Sequence, residues 1–152
     1  MAMLPFCGYN MSDYFQHWLD MGKKLTNAPK IINVNWFRTD ENGKFIWPGF
    51  GDNLRVLDWI IDRCEDAIDA RETAIGYVPY AKDINLEGTD VSAKTLEGLL
   101  EVDKKQWQAE AESIEEHYKK FGDRLPKELR EELAGLKARV AVCPCRPKTN
   151  GV

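Results

Sequence analysis

The sequence predicts an α/β chain, α+β-like as an isolated fragment: mostly helical, with a small antiparallel β-hairpin and a carboxy-terminal αα-hairpin. Three observations carry that prediction. Apolar residues recur at helical spacing near both ends of the chain, one run after residue 30 alternates as a strand does, and residues 35–53 gather five of the sixteen aromatic rings among turn-forming Asn, Gly and Pro.

Asn10-Met-Ser-Asp13 reads as a helix N-cap with an acid three residues on. Met11, Tyr14, Phe15, Trp18 and Leu19 then follow i, i+3, i+4, i+7, i+8 spacing. The helix is expected to end at Gly22, placed to adopt the left-handed conformation past a helix end, with Lys23 and Lys24 near the negative end of the helix dipole. His17 has no second histidine at ligand spacing and reads as a packed or solvent-facing side chain.

Lys30-Ile-Ile-Asn-Val-Asn-Trp-Phe-Arg38 alternates, with Ile32, Val34 and Trp36 on a core face and Asn33, Asn35 and Phe37 on the other. Asp40-Glu-Asn-Gly43 suits a type I turn with a left-handed glycine and a G1 bulge, after which Lys44-Phe-Ile-Trp47 returns antiparallel. With the bulge in place, Phe37 and Phe45 fall on one face. Pro48-Gly49-Phe50-Gly51 cannot continue a strand, and its glycines hold Phe50 out from the chain. A helix then starts at Asp52 or Asn53. Its Leu54, Val56, Leu57, Trp59, Ile60 and Ile61 leave almost no polar face, which predicts a buried helix.

Glu65 to Glu72 reads as a polar connection, Ala74 to Pro79 as a short strand-like run, Tyr80 to Asp90 as loop, and Val91-Ser92 as the opening of a short helix through Leu99. Trp107, Ala111, Ile114, Tyr118 and Phe121 step by four and three, as do Leu129, Leu133, Leu136 and Val140. Pro126 marks a helix start and Gly122 to Leu125 the intervening turn.

At 152 residues the chain suits one domain, a size that buries roughly two thirds of its unfolded surface. The net charge of −4 is spread along the chain, so the basic face of a nucleic-acid binder is missing. No apolar run could span a bilayer and the amino terminus lacks the features of a signal peptide, which predicts a cytoplasmic protein without a membrane partner. Cys7 and Cys64 are expected as free thiols. Cys143-Pro-Cys145 lacks zinc-ligand spacing and falls in residues 142–152, expected to be a disordered tail.

No phosphate loop of the form G-x-x-x-x-G-K-S/T, no G-x-G-x-x-G and no H-E-x-x-H is present, and no catalytic constellation is evident. The remaining chemistry is the aromatic loop with its amides. Large rings usually pack inside, so one reading is an aromatic core within a stand-alone helical protein-interaction module. The other is a slot for a flat heteroaromatic ligand, favoured by the glycines around Phe50, the half-polar face carrying Phe37, and Asn53 at the loop exit. Aromatic stacking is worth about 1–3 kcal/mol per base, and an amide can pair with a base edge, so a purine is the natural candidate. A proline-rich peptide groove is a weaker alternative, because such modules are compact all-β domains.

Six motifs resemble the carboxy-terminal part of the GTP-dependent phosphoenolpyruvate carboxykinases: Pro5-Phe-Cys-Gly-Tyr-Asn10, Asp13-Tyr14 with His17-Trp-Leu19, Asn35-Trp-Phe-Arg38, Gly43-Lys-Phe-Ile-Trp-Pro-Gly-Phe-Gly51 with Asn53, Arg55-Val-Leu57, and Ile75-Gly-Tyr-Val-Pro79. The resemblance implies that residues 1–141 are the carboxy-terminal portion of that enzyme's nucleotide-binding lobe. The reaction it implies is the gluconeogenic conversion of oxaloacetate and GTP to phosphoenolpyruvate, GDP and carbon dioxide, with manganese and a nucleotide-bound magnesium. It further implies that Phe37, Phe45 and Phe50 form the guanine pocket, with the base between Phe37 and Phe50 and Phe45 packed nearby, and that Asn53 contacts the guanine edge and helps favour guanine over adenine. By the same resemblance the phosphate loop, the metal ligands, the oxaloacetate-binding arginines and the lid precede residue 1, so the chain alone is expected to be inactive and its partner to be the amino-terminal part of the enzyme. Asp52, Leu54 and Ala74 depart from the family pattern without touching the inferred pocket.

Overall fold

The computed structural model describes residues 6–142, which form two compact units: residues 6–29 with 103–142, and Lys30–Val102. Residues 143–152, with Cys143-Pro-Cys145 and all of the expected tail but Val142, lie outside the described part.

The first unit is helical. Helix α1 spans Met11–Lys24, capped by the Asn10 side chain, whose Oδ1 accepts from the Ser12 N–H at 2.9 Å. It does not stop at Gly22. The turn continues through both lysines until the Leu25 N–H closes on the Met21 carbonyl, and Gly22 keeps an ordinary helical conformation. A glycine inside a helix costs only about 1 kcal/mol, and good helix formers follow it. Helices α4 (Lys104–Lys119) and α5 (Lys127–Val142) are the expected hairpin, joined through a 3-10 turn at Gly122–Arg124. Asp103 caps α4 through the Gln106 N–H, and Ala111, Leu125 and Val140 are buried. Phe15 of α1 meets Phe121 edge-on with centroids 5.4 Å apart.

The second unit carries a different core: Trp47, Trp59, Ile84, Val91 and Leu96, with Trp36 and Val56 packed against it. Several expectations fail here, and Ile32, expected on the core face, is 39% exposed. Residues 30–37 are extended but join no ladder; the hairpin around Asp40–Gly43 is pinned by one antiparallel bridge, Thr39 with Phe45, and by the Ile46 N–H to the Arg38 carbonyl. Alternation records which face a side chain takes, whereas a ladder also needs a neighbouring strand. The regular two-stranded antiparallel sheet lies further on, β1 (Arg71–Thr73) against β2 (Gly76–Val78), so β1 occupies the end of the supposed polar connection. Helix α2 (Asn53–Cys64) is also not a buried helix: Trp59 faces the core, while Leu54, Leu57 and Ile61 are exposed. The core of this unit covers one side of it only. Helix α3 (Ala93–Leu99) forms as expected with Ser92 as its cap and Leu96 inside.

Candidate nucleotide-base site

The site is built on the hairpin and the loop that follows. Asp40 organises the turn: its Oδ1 accepts from the Asn42 and Lys44 N–H groups, both at 2.9 Å, while Gly43 donates to the Asp40 carbonyl with φ 77°. The Asp40 N–H returns to the Lys44 carbonyl, completing the pattern of a three-residue hairpin loop with a left-handed glycine. The Asn35 side chain accepts from the Phe37 N–H at 2.9 Å and so fixes the backbone beneath that ring. The outcome is the convergence expected of Phe37 and Phe45, whose rings meet edge-on with centroids 5.9 Å apart. Neither is core. Phe37 is 72% and Phe45 57% exposed, while Trp36 and Trp47 of the same hairpin pack inward.

Beyond Pro48 the chain reverses through Gly49 at φ 81°, ψ −167°, a region reserved for glycine, and Phe50 itself takes φ 29°. Phe50 is 99% exposed and has no ring partner among the described residues. It stands at the start of a 3-10 turn, Phe50–Asp52, whose carbonyl from Phe50 accepts the Asn53 N–H. Backbone strain of this kind costs about 1–3 kcal/mol and persists where the surroundings enforce it. Arg55 supplies that enforcement: it bonds the Asp52 carboxylate at 2.9 Å and the carbonyls of Asn85 and Glu87 at 2.8 and 2.7 Å, tying the loop exit to the segment after the core residue Ile84. Arg38 anchors the other side of the hairpin through the Leu99 carbonyl at 2.9 Å.

Asn53 opens α2, and its Oδ1 accepts from the indole N–H of Trp47 at 2.9 Å. Sequence reasoning singled out Asn53 but missed Trp47 and Arg55. No sequence period pairs Trp47 with Asn53, six residues on across a turn; only the burial of the indole, seen in the structure, calls for an acceptor for its N–H. The structure therefore brings Phe37 and Phe45 into contact and sets Phe50 and Asn53 within one turn of each other.

A separate cleft of about 540 Å³ opens on the α4–α5 hairpin, lined by Tyr118, Leu125 and Leu133 among others. Its charged rim is self-paired, Lys137 on Glu115 at 2.9 Å, and burial together with the nearby Glu132 raises the Tyr118 phenol above its ordinary range. This is a helix-packing seam. Among the described residues no three His, Cys, Asp or Glu side chains converge to hold a metal ion, and no helix is long and apolar enough to cross a membrane.

Comparison with known proteins decides the family. The family model described as phosphoenolpyruvate carboxykinase C-terminal P-loop domain matches residues 1–139. The chain belongs to the GTP-dependent phosphoenolpyruvate carboxykinase family. It is 53% identical over 142 residues to the GTP-dependent phosphoenolpyruvate carboxykinase of Treponema pallidum (strain Nichols), covering 91% of this chain and 23% of that protein. The same enzyme of Renibacterium salmoninarum is 51% identical over 142 residues, covering 92% of this chain, and that of Chlamydia muridarum 51% over 137 residues, covering 89%; each match takes in 23% of the relative. The chain thus spans about a quarter of the length of the curated carboxykinases it matches.

Proposed function

We propose that this chain supplies guanine recognition to an enzyme that converts oxaloacetate and GTP to phosphoenolpyruvate, GDP and carbon dioxide. The observation that carries the reading is the outward face made by Phe37, Phe45 and Phe50 with Asn53 beside them. Three large apolar rings held in solvent by a strained, arginine-anchored loop are costly unless something covers them. A purine base fits that face: rings stack on it, and the amide reads its edge. The competing module with an aromatic core is not favoured, because all three phenylalanines face out.

The chain's residues bind and orient the base. On the family resemblance, transfer of the phosphoryl group and the manganese and magnesium chemistry belong to the rest of the enzyme. Residues 1–141 are then the carboxy-terminal portion of the nucleotide-binding lobe, with the amino-terminal remainder as partner. Two exposed apolar features support that partner: Leu54, Leu57 and Ile61 along one side of α2, and Ile31 and Ile32 on the extended segment that joins no ladder. The free thiols of Cys7 and Cys64 accord with a reducing, cytoplasmic setting.

Phe50→Ala in the complete protein tests the reading. It is expected to weaken GDP binding by about 1–3 kcal/mol, the contribution of one stacking ring. An unchanged dissociation constant for GDP removes Phe50 from the site.

A further inference from the structure

Asn53 carries both a donor and an acceptor, so by itself an asparagine does not choose between purines: its NH2 suits the 6-oxo group of guanine and its carbonyl suits the 6-amino group of adenine. The structure contains the missing constraint. The indole nitrogen of Trp47 is a donor only, so the atom that meets it at 2.9 Å has to be the Asn53 oxygen. Oxygen and nitrogen sit on opposite arms of the amide, and turning Oδ1 to the indole turns Nδ2 away from it. Nδ2 makes no hydrogen bond among the described residues.

Trp47 is well placed to impose that orientation. It is 5% exposed, within the core that also holds Trp59 and Leu96, so its N–H cannot swing toward solvent and has no other acceptor among the described residues. Flipping the Asn53 amide would set its NH2 against the indole N–H and leave a buried donor unpaired, at a cost of about 1–3 kcal/mol. Arg55, through Asp52 and the Asn85 and Glu87 carbonyls, holds the helix start in register with the indole.

We propose that Trp47 is the positioning residue for base selectivity: its buried N–H locks the Asn53 carboxamide so that only the NH2 faces the base, which selects a 6-oxopurine over a 6-aminopurine. The proposal rests on the reading of Asn53 as the base-edge contact. A guanine O6 accepts from the fixed NH2, whereas an adenine 6-amino group meets it donor to donor, and a site built this way rejects the wrong base by leaving its own polar group unpaired.

The test is to measure dissociation constants for GDP and ADP in the complete protein for Trp47→Phe, Asn53→Ala and Asn53→Asp, with near-ultraviolet circular dichroism and melting temperature as checks on folding. Trp47→Phe keeps a large ring and removes only the N–H with part of the indole; the expected result is at least a tenfold fall in the preference for GDP over ADP. A purely structural role for Trp47 would weaken both nucleotides alike and leave the ratio unchanged, and that result overturns the proposal. Asn53→Asp keeps an acceptor for the indole and removes the donor, so the preference is expected to move toward ADP by at least tenfold, and a retained preference for GDP overturns the base-edge reading on which the proposal rests. Should Trp47→Phe fail to fold, Trp47→Leu, which likewise lacks the N–H, is read by the same GDP-to-ADP ratio, and an unchanged ratio overturns the proposal. Asn53→Ala separates the two layers of the argument. If it leaves GDP binding intact, the base-edge reading itself is wrong; if it weakens GDP binding while Trp47→Phe preserves the ratio, only the positioning role is lost.

Discussion

The two units treat the same side chain in opposite ways. In the helical unit, Phe15 and Phe121 are half-buried against each other, with His117 edge-on to Phe121 at 5.3 Å. In the Lys30–Val102 unit, Phe37, Phe45 and Phe50 stand in solvent while tryptophans form the core behind them. The difference lies in the backbone. A helix places its rings on a stripe that another helix covers, whereas Gly43 and Gly49, at φ 77° and 81°, turn the chain so that rings leave it. A phenylalanine held outward by strained glycine geometry and anchored by Arg55 points to a ligand in a way that a ring on a helix stripe does not.

That contrast can be broken at several points. The largest effect is expected from Trp59→Ala, which empties the centre of the core under the aromatic face; a loss of about 3–5 kcal/mol in unfolding free energy, measured by urea titration, would place the support of the rings there. Phe15→Ala and Phe50→Ala should then separate cleanly. The former is expected to lower stability by about 0.5–3 kcal/mol and spare GDP affinity, while the latter leaves the urea midpoint in place and weakens the nucleotide. The reverse pattern would erase the distinction between packed and presented rings. Gly49→Ala meets no steric neighbour, so its cost should be conformational alone, about 1–3 kcal/mol, and should appear in both stability and GDP binding because Phe50 follows directly.

The smallest effect belongs to the helical unit and to pH. Lys137, hydrogen-bonded to Glu115, holds that carboxyl below its ordinary range, and Lys23 does the same for Glu128. A depressed folded-state pKa contributes stability that is complete above the ordinary glutamate value and fades as pH falls through the depressed one. Both pairs are exposed, so Lys137→Met should flatten the acid side of the stability profile only slightly. Urea midpoints taken between neutral and acid pH would show it, and an unchanged slope would remove the pair from the seam.

Much of the fold was legible because helices declare themselves locally. Asn10, Ser92 and Asp103 cap where short polar residues precede periodic apolar ones, and the α4–α5 stripe closes on Ala111 and Val140 as its spacing requires. What depended on distant partners was not legible. Residues 30–37 turn Val34 and Trp36 inward but leave Ile32 exposed and find no neighbouring strand, and β1 went unseen because Arg71-Glu-Thr73 is polar and short. The apolar sequence of α2 suggested burial that this unit does not provide. At the site the rings could be named in advance, since glycine and proline mark where the chain leaves its strand. The bond between Trp47 and Asn53 could not, because a side-chain pair six residues apart across a turn follows no period.

The most direct measurement is a titration of the complete protein with GDP and with ADP, following tryptophan emission, for which Trp47 beside Asn53 is a built-in reporter. If the outward ring face receives guanine, GDP gives a saturable change at lower concentration than ADP, and Phe50→Ala shifts the GDP curve to higher concentration. A folded protein that responds to neither nucleotide, or to both alike with no effect of Phe50→Ala, would contradict the assignment of Phe37, Phe45, Phe50 and Asn53 to a base-binding site.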